Sequence, residues 1–177
     1  MIATTPTVFT FGHGTANAAG ISALLTGAAV RRLVDIRTAP GSRHNPDTAR
    51  EAMAHWLPES GIGYRWEPRL GGWRRVSGES PDVGLRNASF RAYAGYMRSA
   101  DFRAGIDELL SDAAEQQVAI MCAETLWWRC HRKLVADYLT LVRGVRVCHL
   151  MHDGKLTAHR PTAEARIDGD VLIYNAG

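Results

Sequence analysis

The chain has 177 residues, 46% of them hydrophobic and 22% charged. That is ordinary globular composition, long enough to bury a core without covalent staples, and it excludes a largely disordered chain. No apolar run approaches the roughly 20 residues that span a bilayer, so no membrane segment is expected, and a net charge of +3 is too mild to identify a partner.

The elements are read in chain order from apolar periodicity and turn residues. Thr7–Phe11 is a β-branched and aromatic run that stops at Gly12-His13-Gly14-Thr15, a first strand and its turn. Asn17 is placed to cap a helix with apolar positions Ile21, Leu24, Leu25 and Ala28. Leu33–Ile36 reads as a second buried strand, followed by a polar loop from Arg37 to Pro46. Asp47 is the expected cap of a helix carrying Ala52, Met53, Trp56 and Leu57, which Gly61 ends. Ile62–Trp66 is a third strand. The stretch Glu67–Arg86 has no periodicity and holds Gly71-Gly72 and Pro81, the pattern of a functional lid or a mobile connection. Phe90, Tyr93 and Met97 mark one helix, and Phe102, Ile106, Leu109, Leu110 and Ala113 another. Gln117–Cys122 is a buried strand, followed by a helix to about Val142, a strand Val145–Leu150, a turn at Asp153-Gly154 and an edge strand Val171–Tyr174.

Strands spaced by helices require crossover connections, hence a mainly parallel open sheet flanked by helices in one three-layer α/β domain over residues 1–177. Three cysteines, Cys122, Cys130 and Cys148, are an odd number. Met1–Pro6 has no basic leader before an apolar stretch, so reduced thiols in a cytoplasmic protein are expected.

Ligands of open parallel sheets sit beyond the carboxyl ends of the strands. Three loops fall there. One carries His13 and Thr15; the next carries Asp35, Arg37, Ser42, Arg43 and His44; the third carries Cys122, Glu124, Arg129, Cys130, His131 and Arg132. At about 100° per residue, Leu134, Val135, Tyr138, Leu139 and Val142 form the apolar stripe of the last helix. His131 lies near its centre and Cys130 at its margin, both in the first turn. Lys133 and Asp137 fall on the opposite face as a solvent-exposed pair. A thiol at the positive end of a helix dipole has a lowered pKa. Packing roles for the cysteines, a core role for His131, and a tie between Glu124 and Arg129, Arg132 or Arg37 stay open beside the chemical reading.

A strand, a Cys, a loop and a helical Arg is also the layout of cysteine phosphatases and sulfurtransferases. Here six residues separate Cys122 from Arg129, more than those loops hold, and Glu124, Trp127 and Trp128 replace the small residues that wrap a phosphate. Cys122, Cys130 and His131 lack the paired spacing of a structural zinc site, so no metal ligand is assigned and no cofactor is identified.

Gly12-His13-Gly14, Asp35-Ile36-Arg37 with Pro40 and Ser42, Leu70-Gly71-Gly72, Cys122-Ala123-Glu124 and Cys130-His131-Arg132 occur in this order. From about residue 7 to 154 the chain thereby resembles the family of the domain of unknown function 488. Trp127-Trp128 departs from the Pro-containing link that members commonly carry. The resemblance implies a three-layer α/β domain with an unassigned activity.

The expected function is an enzyme acting on an anionic, phosphate-bearing substrate, with nucleic acid or a nucleotide as the leading class. Arg37, Arg43, Arg129 and Arg132, with His13, Asp35 and Ser42, would bind it. Glu124 or His131 would serve as general acid or base, and Cys122 or Cys130 as nucleophile. Arg65, Arg69, Arg74, Arg75 and Arg86 in or beside the long connection, with Trp66, Trp73, Trp127 and Trp128 as stacking faces, add to a nucleic-acid reading. The alternatives are a non-catalytic nucleic-acid-binding module and a thiol-based redox or metal-sensing protein.

Overall fold

The computed structural model of the protein describes residues 5–41, 43–75 and 78–176. Five parallel strands form most of one sheet: β1 (Thr7–Gly12), β2 (Arg32–Asp35), β3 (Gly63–Trp66), β4 (Val118–Cys122) and β5 (Arg146–Leu150). Helices α1 (Ala18–Gly27), α2 (Arg50–Glu59), α3 (Ala88–Tyr96), α4 (Ala100–Glu115) and α5 (Arg132–Leu141) return the chain across it. A short β6 (Leu156–Ala158) folds back antiparallel on β5, and the order across the sheet is β3-β2-β4-β1-β5-β6. This is the mainly parallel, three-layer α/β domain expected.

Strand alternation sorts the core. Phe9, Phe11, Leu33, Ala119, Met121, Cys148 and Leu150 pack with Ile21, Leu25, Met53 and Leu57 of α1 and α2. Val8, Val34, Ile120, Cys122 and Val147 face α3, α4 and α5. By the same parity Thr10 and His149, paired across β1 and β5, point to the α5 side, as does Cys122. β1 and β4 are neighbours whose following helices leave in opposite directions, to β2 and to β5. Such a divergence opens a crevice at the strand ends.

Asn17 caps α1 as expected, its side chain accepting the Gly20 N–H at 2.9 Å. Asp47 does not cap α2. Pro46 starts a separate single 3-10 turn over Pro46–Thr48, so α2 begins at Arg50 behind Ala49. The Asp47 carboxylate instead accepts the Ala18 N–H at 2.8 Å, meeting the positive end of α1.

Two further corrections concern α5. Trp127–Arg129 forms a 3-10 turn, Cys130 is extended and His131 is the N-cap, so neither Cys130 nor His131 lies in the first helical turn. Asp137 is not half of an exposed pair with Lys133. It is fully buried and accepts from Thr162 N and Oγ1 (3.0 and 2.7 Å), His159 Nε2 (2.8 Å) and the Tyr174 hydroxyl (2.9 Å). The chain after β6 covers that face.

Val171–Tyr174 (β8) is a strand, but it pairs with β7 (Ala165–Asp168) in a separate two-stranded sheet. Tyr174 reaches the core, and its backbone is held by Asp82 Oδ1 and the Gly84 N–H. Asp82 also binds Arg98 at 2.7 Å. β6 and β7 carry mostly exposed side chains, so their sequences show no buried stripe.

Asp137→Ala leaves buried donors on Thr162, His159 and Tyr174 without an acceptor, and a loss of about 3 kcal/mol is expected. Urea unfolding measures it, and a change below about 0.5 kcal/mol, the range of a surface substitution, would contradict the burial.

Candidate functional site

Beyond the carboxyl ends of β1, β2 and β4 lies a cavity of about 510 Å³. His13, Arg37, Cys122, Glu124, Arg129, Cys130 and His131 contribute to its wall. Asp35 and Arg132 are buried behind that wall, Arg43 is exposed and outside it, and Ser42 lies outside the described residues. The opposite side is made by Gly72 and Trp73 of the long connection, and by Asn87, Ser89, Phe90 and Tyr93 at the start of α3; of these, only Trp73 was expected to face a ligand. Trp73 is 81% exposed and holds φ at +58°, a left-handed conformation unusual for a bulky residue.

One wall is an ion pair. Arg37 donates from Nε to Asp35 Oδ1 (2.8 Å) and from Nη2 to Oδ2 (2.7 Å), a bidentate fork that answers the charge left at the end of apolar β2. The Tyr64 hydroxyl donates to the same carboxylate at 2.5 Å, and Arg37 Nη2 also reaches the Thr48 carbonyl. His13 donates from Nδ1 to the Gly14 carbonyl (2.9 Å) and turns Nε2 to Arg37 Nη1 (3.3 Å). Burial, with Arg37 adding to it against the Gly14 contact, lowers the His13 pKa and keeps the ring neutral.

The floor is a pair of thiols on a guanidinium. Cys122 and Cys130 Sγ are 2.9 Å apart. Arg132, 1% exposed, donates from Nε to Cys122 Sγ (2.9 Å) and Cys130 Sγ (3.4 Å), from Nη1 to Thr10 Oγ1 (3.0 Å), and from Nη2 to the carbonyls of Glu124 (2.6 Å) and Thr125 (3.2 Å). Its backbone N–H also reaches Cys130 Sγ at 3.4 Å. The Cys122 thiol and then Arg132 draw the Cys130 pKa below its ordinary value, while burial and the bond to Cys130 push that of Cys122 up. The pair therefore loses one proton readily, from Cys130, and holds the other on Cys122. Gly12 is required here: a Cβ would stand 1.8 Å from the Glu124 carbonyl oxygen and 2.6 Å from Arg132 Nη2.

Behind Arg132 runs a chain of hydrogen bonds. Asp137 accepts from His159 Nε2, and His159 Nδ1 lies 2.9 Å from His149 Nε2. His149 Nδ1 in turn lies 2.6 Å from the Thr10 hydroxyl, whose oxygen accepts from Arg132 Nη1. Burial, then His159 and Arg132, hold His149 neutral with a pKa down to about 3. Trp127 covers this ring, stacked at 4.1 Å and 2°. Thr10, His149, His159 and Asp137 were missed in the sequence. The available signal was a polar residue at the inward parity of two apolar strands, at Thr10 and His149.

His131 points inward as expected. Its Nε2 donates to the Ile36 carbonyl at 3.0 Å, its ring lies 5.1 Å from that of Tyr93, and burial lowers its pKa to about 4. Glu124 is exposed; its Oε1 accepts the Leu126 N–H, and no arginine pairs with it among the described residues. Arg129 is likewise exposed and, among the described residues, unpaired. The arginines of the long connection are mostly spent internally. Arg65 binds Glu67 and Asp112, Arg69 binds Glu67 and Glu108, and Arg74 stacks on Tyr96 at 3.7 Å. Trp66 donates to the Arg37 carbonyl and carries Arg50 on its face, so Trp73 and Trp128 keep the most open faces of the four tryptophans. Among the described residues no group of three or more His, Cys, Asp or Glu has metal-holding geometry.

A family model described as Domain of unknown function DUF488 matches residues 18–139, more than half of the chain. The matched span includes the Asp35–Arg37 pair and the whole segment from Cys122 to Arg132, but not Thr10, His13, His149 or His159. No curated protein and no solved structure matches the chain.

His149 and His131 are held neutral when folded and take a proton near pH 6.5 when unfolded. The unfolded state then binds more protons below that value, so stability is complete above about pH 6.5 and falls as pH drops toward 4. His149 alone contributes about 1.4 kcal/mol per pH unit in that window. Urea midpoints at pH 7 and pH 5 test this, and His149→Gln should flatten the difference; equal midpoints for the unaltered chain would contradict it. Thr10→Val, nearly isosteric, should cost about 2 kcal/mol by stranding Arg132 Nη1 and His149 Nδ1.

Proposed function

Because the chain belongs to the DUF488 family, whose description assigns no reaction, we propose its function from the site: a thiol-dependent enzyme whose nucleophile is Cys130. The observation that carries the reading is the pair of sulfurs 2.9 Å apart at the wall of the cavity, both within reach of the Arg132 N–H groups. A thiolate is the reactive form of cysteine, and a neighbouring guanidinium with a backbone N–H at a helix start favours it. Cys130 is half-buried and opens on the cavity, whereas Cys122 is 3% exposed.

The substrate is a small molecule rather than a polymer. About 510 Å³ is the size of a small-molecule site. Two arginines of the basic cluster that suggested nucleic acid, Arg65 and Arg69, are bound to Glu67, Glu108 and Asp112, and Arg74 lies on Tyr96. The anion-handling role narrows in the same way. Asp35 neutralises Arg37, and the thiol pair occupies Arg132, which leaves Arg129 to meet a negative group on the substrate. Glu124, solvated and on the cavity wall, is the group able to exchange a proton there. His131 gives its Nε2–H to a carbonyl and serves to position the wall.

Alkylation tests the reading. Iodoacetate should label Cys130 alone among the three cysteines, with a pH midpoint below that of an ordinary thiol. Arg129→Ala should slow iodoacetate about threefold, the effect of one exposed charge, and leave the uncharged iodoacetamide unaffected. Labelling spread evenly over Cys122, Cys130 and Cys148, or appearing only after unfolding, would overturn it.

A further inference from the structure

We infer that the atom attacked at this site is a sulfur: the protein exchanges with small disulfides, Cys130 attacking and Cys122 resolving. The inference rests on Cys130 as nucleophile and adds the substrate class.

The first support is distance. A disulfide bond is about 2.05 Å long, so sulfurs at 2.9 Å need less than about 1 Å of approach. The movable partner is Cys130, extended and outside both the 3-10 turn and α5, while Cys122 is fixed at the end of β4. The second is the asymmetry of access. On the shared cavity wall the half-buried Cys130 is the more open sulfur, while Cys122 is 3% exposed and burial raises its pKa.

The third is the leaving group. His13 and His131 are held neutral by burial, and each gives its one N–H to a backbone carbonyl, Gly14 and Ile36. The site therefore offers no imidazolium to protonate an alkoxide or an amine. A thiolate departs without one, since its conjugate acid has a pKa near 8.5. The last is the second thiol itself. On an acyl or phosphoryl intermediate Cys122 would only move the group from one sulfur to the other. On a mixed disulfide it completes the reaction.

The steps balance. The Cys130 thiolate attacks one sulfur of R–S–S–R, forming the Cys130–S–S–R bond and expelling RS⁻. The Cys122 thiol gives its proton to that RS⁻, and its sulfur attacks Cys130 Sγ. The Cys122–Cys130 bond forms and the second RS⁻ leaves. The protein is oxidised by two electrons, and the substrate is reduced to one thiol and one thiolate. Arg132 Nε, 2.9 Å from one sulfur and 3.4 Å from the other, covers the negative charge throughout.

Fully reduced protein mixed with excess bis(2-hydroxyethyl) disulfide and followed by intact mass should lose two hydrogens, and peptide mapping should join Cys122 to Cys130. Cys122→Ser should stop at a mixed disulfide on Cys130, and Cys130→Ser should lose the reaction. Wild-type protein that accumulates a lasting mixed disulfide, or does not react, overturns the inference, and this needs no variant to fold. If Cys130 still takes iodoacetate selectively in that case, the thiol nucleophile stands and only the substrate class falls. Failure of both removes both.

Discussion

A guanidinium at 1% exposure dominates the arrangement of this fold. Taking a charge that far from water costs several kcal/mol unless its hydrogen bonds are met and an anion lies close. Arg132 meets the demand with two sulfurs, one hydroxyl and two carbonyls, all within 3.4 Å. Each partner is thereby constrained. The loop after β4 must turn its carbonyls at Glu124 and Thr125 inward, β1 must carry a hydroxyl at Thr10, and it must end in Gly12 so that the loop can close over it. The readily ionised thiol is a consequence of the same burial, because a thiolate is the counter-charge the interior requires.

The sheet topology makes this possible. β1 and β4 are adjacent, yet their crossovers leave in opposite directions, so their loops part and α5 delivers Arg132 into the opening. The second buried pair, Asp35 with Arg37, ends β2 one strand away and is satisfied within itself, with Tyr64 and Thr48. Two arginines close in space thus differ in kind. One is a finished structural fork with a carboxylate, and the other shares its charge with two thiols.

The elements were legible because they depend on local pattern, as was the meeting of the Cys122–Arg132 segment with His13 and Arg37 at the strand ends. The helix wheel turned His131 inward correctly, although the helix begins only at Arg132, beyond both Cys130 and His131. The same wheel placed Asp137 in water, because a wheel gives direction relative to the sheet and cannot show that His159, Thr162 and Tyr174 return to cover the far face. The basic stretch misled for a related reason. Its acidic partners Glu108 and Asp112 sit on α4, about forty residues along the chain, and charge pairing at that separation leaves no periodic trace. Asp47 looked like a cap for the helix after it and served the helix before it.

The segment beyond β5 is easily taken for a decoration of the domain. It is instead the last-made part of the site. His149, His159 and Thr162 all follow Arg132 in the chain, and their hydrogen bonds link Asp137 through both rings to Thr10. The sulfurs take their partners from residues up to Arg132, but the ring beside the Thr10 hydroxyl comes from β5, and the groups behind that ring come from the chain that returns over α5. The surroundings of one guanidinium are thus drawn from segments about 150 residues apart, β1 at one side and the chain after β6 at the other.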